Sequence, residues 1–112
     1  MTELDERLYV FTKILTSYGQ YVYVRFYLKT STEYKQIFNN IFNNVYMRYK
    51  DDIYVEENNG KNKELIFSHS NINDHVTIPL NEIKSIIIKN EFGDYCFTVT
   101  LNNEDCFIVG TW

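Results

Sequence analysis

Read for spacing, residues 31–49 give the clearest pattern in the chain. Tyr34, Ile37, Phe38, Ile41, Phe42, Val45, Tyr46 and Tyr49 recur three and four apart, the period of an amphipathic helix. The spacing therefore predicts a long helix from Ser31 to Tyr49. A shorter N-terminal helix is expected first. Thr2-Glu3-Leu4-Asp5 reads as a helix start with an N-cap hydroxyl and acids in the first turn, Leu4, Leu8, Phe11, Leu15 and Tyr18 form the stripe, and Gly19 is a stop.

Between the two, Gln20 to Lys29 alternates as a strand, with Val22, Val24, Phe26 and Leu28 on one face. Tyr21, Tyr23, Arg25, Tyr27 and Lys29 occupy the other. After residue 50 the period shortens to two. Asp52–Glu57 and Lys63–His69 read as a hairpin about Asn59-Gly60, which opposes Glu56 to Lys63. Further strands are expected at His75–Ile78, Ser85–Lys89, Tyr95–Leu101 and Cys106–Gly110, with Pro79 ending a strand or lying on an edge. The fold class that follows is α+β: an N-terminal helix, one strand, a long amphipathic helix, then an antiparallel meander of about six strands. Ile86-Ile87-Ile88 and Phe107-Ile108-Val109 are apolar on both faces, which predicts cover on both sides by helices, a closing barrel, a partner or a second copy.

Composition narrows the class. At 112 residues the chain is one domain, and 45% hydrophobic with 17% aromatic content argues against disorder. No run approaches the roughly 18 apolar residues of a membrane helix, and no signal peptide opens the chain, so a cytoplasmic protein without membrane contact is expected. Ten Tyr, eight Phe, abundant Asn and Ile and no Ala match AT-rich coding, as in low-GC bacteria and their phages. The net charge of −4 is uneven, with +3 over residues 1–50 and −7 over residues 51–112. An acidic half repels nucleic acid and favours a protein partner with a basic surface.

Candidate chemistry is thin. Centring a two-residue turn on Asn102-Asn103 pairs Val99 with Cys106 and Cys96 with Val109, so the two sulfurs face opposite ways and no disulfide is expected. His69, Asp74 and His75 flank a polar loop and make a poor metal set. Asp74 with Glu82-Ile83-Lys84 only loosely echoes a metal-dependent nuclease triad, and no Gly-x-Ser-x-Gly elbow or phosphate loop occurs. No cofactor and no enzymatic activity are expected.

Binding residues are easier to nominate. Tyr21, Tyr23, Arg25 and Tyr27 alternate aromatic with cationic groups, a pattern suited to interface hot spots. The competing expectation places these tyrosines beneath a helix. Glu56, Glu57, Glu104 and Asp105 are the acids expected to meet a basic partner, and Asn39, Asn40, Asn43 and Asn44 would form an uncharged ridge on the long helix.

Two resemblances follow. Residues 64–109, through Val76-Thr77-Ile78-Pro79-Leu80, Ile83, Ile86 and the Phe97 to Ile108 hairpin, resemble PH-like and GRAM-like bacterial domains, although the helix precedes the strands. That likeness implies a small-ligand or lipid-binding module. In size, acidity and aromatic richness the whole chain resembles phage anti-defence proteins, including anti-CRISPR proteins. It implies a non-enzymatic inhibitor of a nucleic-acid-handling nuclease such as a CRISPR effector, or a toxin immunity protein. A structural homodimer is a further alternative.

Overall fold

The structure, a computed structural model, describes residues 2–17, 21–49, 62–70 and 72–111, with backbone only at 72–74. One helix, α1 (Glu3–Ser17), precedes β1 (Val22–Lys29), β2 (Tyr34–Phe42), β3 (Asn44–Tyr49), β4 (Lys63–His69), β5 (Ile72–Pro79), β6 (Ile83–Glu91), β7 (Asp94–Leu101) and β8 (Cys106–Thr111). All pairings are antiparallel, in a five-stranded sheet ordered β2-β1-β8-β7-β6 and a three-stranded sheet ordered β3-β4-β5.

The N-terminal helix forms as its sequence predicts. Thr2 Oγ1 accepts from the Asp5 amide at 3.1 Å, and Asp5 Oδ2 accepts from the Thr2 amide at 3.3 Å, a reciprocal cap. Leu8, Phe11 and Leu15 are buried, and Phe11 meets Phe97 edge-on at 5.0 Å. Arg7 ties the helix to β6 by donating to the Ile86 carbonyl at 3.0 Å. The expected stop at Tyr18 and Gly19 lies outside the described residues.

The long helix over Ser31–Tyr49 is not there. That stretch forms β2 and β3, so the fold is one helix with eight strands, mostly β, among the described residues. Four-residue spacing is ambiguous, because positions four apart share a strand face as well as a helix face. Tyr, Ile, Phe and Val favour strands, and four asparagines penalise a helix. The deciding contacts are distant. Asn43 and Asn44 form the corner between the sheets: the Asn43 amide and side chain bond to the Ser68 carbonyl and to Ser70, and Asn44 Nδ2 bonds to Ser68 Oγ. The asparagine ridge is therefore dispersed over two strands and a corner.

The core lies between the sheets. One inner row crosses the large sheet as Val24, Val109, Phe97 and Ile88, and the next as Phe38, Phe26, Phe107, Val99 and Ile86. From the small sheet Leu65, Phe67 and Ile78 face them, with Phe42 and Phe67 in ring contact at 6.1 Å. Pro79 ends β5, an edge strand, where its missing donor is harmless. The partner expected for Lys63–His69, including Glu56 and the Asn59-Gly60 turn, lies outside the described residues; β4 pairs instead with β3 and β5. The doubly apolar β6 is an edge strand, and Ile87 on its outer face is 53% exposed.

The β7–β8 hairpin corrects the cysteine register. The Leu101 amide donates to the Asp105 carbonyl, and the Glu104 amide donates to Leu101. Three residues fill the loop, and Glu104 takes the left-handed conformation at φ 74°. One added residue pairs Thr100 with Cys106 and Cys96 with Gly110, which turns both thiols to the outer face. Four residues of register separate them, and both are free.

Candidate binding face

Alternation along five paired strands builds the outer face of the large sheet. Its rows run Ile41, Tyr23, Gly110, Cys96, Lys89; then Asn39, Arg25, Ile108, Thr98, Ile87; then Gln36, Tyr27, Cys106, Thr100, Ser85. Neither α1 nor the small sheet covers this face, because both send their buried side chains to the shared inner core. Among the described residues no helix lies over the tyrosines of β1.

At one end the face sinks into an open concavity of about 830 Å³. Tyr23, Arg25, Asn39, Ile41, Lys89 and Phe92 are among its lining residues, with Glu91 and Asp94 also present. The Arg25 guanidinium lies over the Tyr23 ring at 5.1 Å, a cation–π contact that holds both side chains against the sheet. Burial first, and then the Cys96 thiol 4.0 Å from the hydroxyl, raise the Tyr23 pKa above its ordinary value. Burial likewise pushes the Cys106 thiol up, which lowers its thiolate fraction.

Gly110 seats the Tyr23 ring. A Cβ there would stand 2.1 Å from Tyr23 Cζ, so the absence of a side chain is what lets the ring lie flat across β8. Gly110→Ala is expected to lift the ring off the face and cost roughly 1 kcal/mol. In Tyr23→Ala/Gly110→Ala the clash has no second party, so the double variant should lose about 1 kcal/mol less than the two single losses combined. Strict additivity in urea denaturation would contradict this placement of the ring.

Phe92 crowns the rim. Glu91 and Asp94 pair across a two-residue loop in which Phe92 and Gly93 both have positive φ, 53° and 86°. A left-handed pair fits a type I′ turn, whose first position favours Asn, Asp or Gly. A bulky side chain there costs on the order of 1 kcal/mol. Phe92 is nonetheless present, and it is 104% exposed.

The nominated residues are not brought together as one site. Tyr23, Arg25 and Tyr27 share the outer face. Tyr21 leaves it and stacks on His69 with ring centres 6.4 Å apart. Glu104 and Asp105 sit at the far end of β7 from the concavity, Glu104 paired with Lys84 and Asp105 Oδ1 accepting from the Lys29 amide at 2.9 Å. Glu56 and Glu57 lie outside the described residues. Sequence reasoning did not nominate Ile41, Lys89 and Phe92 as site residues, and read Ile87 only as part of a doubly apolar strand awaiting cover. The local signal for Phe92 was an apolar residue directly before Gly in a hairpin turn.

Among the described residues no three His, Cys, Asp or Glu side chains gather as metal ligands, and no helix is long and apolar enough to cross a membrane. No protein-family model, curated protein or solved structure matches this chain.

Proposed function

We propose that this chain is a non-enzymatic binding protein that docks another protein on the outer face of its five-stranded sheet. The observation that carries the reading is Phe92, a fully exposed aromatic held in a left-handed turn beside Tyr23, Arg25 and Ile41. Strain kept at an exposed apolar tip fits a contact residue, and the Tyr/Arg/Ile surface beside it has the composition of a hot-spot patch. A PH-like site for a small ligand is the competing reading, favoured by the size of the concavity. Its open mouth and the outward stance of Phe92 fit a macromolecule better.

The finer expectation, inhibition of a nucleic-acid-handling nuclease through an acidic surface, draws no support from Glu104 and Asp105, which are already engaged away from this face. The test is affinity capture from a low-GC bacterial lysate with three baits: the native chain, Ile87→Asp and Glu104→Lys/Asp105→Lys. A charge at Ile87 is tolerated by the fold because the side chain is exposed, but is unfavourable under a docked partner. A protein retained by the native and doubly reversed baits, and depleted at least about tenfold by Ile87→Asp, is the expected result. Retention by Ile87→Asp together with loss on charge reversal would place docking on the acids instead. Ligand-induced thermal stabilisation with no captured protein would favour the small-ligand reading.

A further inference from the structure

Arg25 lies in the middle of β1, in register with Asn39 on one side and Ile108 on the other. Its Nε is shut off from solvent and has no hydrogen-bond partner. Among the described residues no carboxylate reaches ion-pair range of its guanidinium; the ion pairs there are Arg7 with Glu3, Arg48 with Glu64 and Lys84 with Glu104. Glu91 and Asp94 line the same concavity without closing on it. The cation is instead propped over the Tyr23 ring, and its Nε–H is left without an acceptor among the described residues.

A part-buried guanidinium with an unmade donor is costly to keep unless an acceptor arrives on binding. We infer that Arg25 is the anchor for a single aspartate or glutamate carboxylate brought by the docked protein on an apolar segment; this rests on the docking reading above. A planar carboxylate takes two parallel bonds from a guanidinium, and the Asn39 amide in register beside Arg25 can add to its shell. Ile41, Ile108 and Phe92 offer apolar contact on either side. A phosphate fits less well, since Glu91 and Asp94 on the rim repel a doubly charged group and the chain is net negative.

Selection of displayed random peptides on the immobilised full chain tests the inference without knowledge of the natural partner. Enriched peptides are expected to carry one Asp or Glu beside large apolar residues. Their affinity should fall at least about tenfold with Arg25→Gln, less with Arg25→Lys, and by the same factor when the peptide acid becomes its amide. Arg25→Gln should bind acid and amide peptides equally, both at the residual affinity the native chain shows for the amide peptide, which loss of folding would not mimic; Arg25→Lys, retaining charge on the same face, guards against a misfolded variant. Peptides that lose binding on Ile87→Asp yet carry no acid, and bind Arg25→Gln as well as the native chain, would overturn the carboxylate anchor and leave docking intact. Peptides indifferent to both substitutions would overturn the anchor and the docking face together.

Discussion

Phe97→Ala is expected to remove about 3–5 kcal/mol of stability. Phe97 has no exposed surface and stands where three contacts converge. Val109 and Ile88 flank it in the inner row, Phe11 of the helix meets it edge-on at 5.0 Å, and Tyr95 stacks on it at 5.9 Å. Truncation leaves a void bordered on two sides by sheet, which cannot collapse, and on a third by α1. A domain of this size has roughly 5–15 kcal/mol in hand, so the loss is about a fifth of the total or more. In urea the midpoint should drop by about 2 M with little change in slope. Ile87→Ala on the opposite face should stay within about 0.5 kcal/mol of the native chain. If Phe97→Ala fell by less than 1 kcal/mol, the helix could not be packed against this sheet as described.

The contrast between these two positions shows how much of the molecule its sequence makes legible. On β1 the alternation was sufficient: Val22, Val24 and Phe26 turn inward and Tyr23, Arg25 and Tyr27 outward, as the pattern predicts. The stretch IFNNIFNN was not decidable locally. Phe38 and Phe42, four apart, share a face in either conformation, and the contacts that select the strand come from Ser68 and Ser70, some 25 residues away. In the β7–β8 loop a single left-handed residue, Glu104, separates the observed register from the expected one and moves a thiol from one face to the other.

The candidate site divides along the same line. Tyr23 and Arg25 are neighbours by alternation within one strand, so sequence could pair them. Ile41, Lys89 and Phe92 reach the concavity only because the strand order is β2-β1-β8-β7-β6, which brings both edges of the sheet to one surface. Strand order is set by which inner rows fit together, a long-range property that no window of residues encodes. Glu104 and Asp105 failed as site residues for the same reason. They are turn acids by sequence, and the fold engages them in fastening the sheet's other end.

Phe92→Asn should move stability and binding in opposite directions. Asn accepts φ 53° more readily than Phe, and Asn-Gly is the preferred pair for the turn that Phe92 and Gly93 form. Nothing is lost from the core, because the Phe92 ring is wholly exposed. The folded state should therefore gain about 0.5–1 kcal/mol, readable as a higher thermal midpoint. Partner binding should weaken by about 2 kcal/mol or more, roughly thirtyfold, since an aromatic at the rim of a docking face is the side chain best placed to be a hot spot. A merely decorative Phe92 would give the stability gain with unchanged binding. A structural one would give a loss in both. Only a residue retained for contact, at a cost to its own turn, gives gain in one and loss in the other.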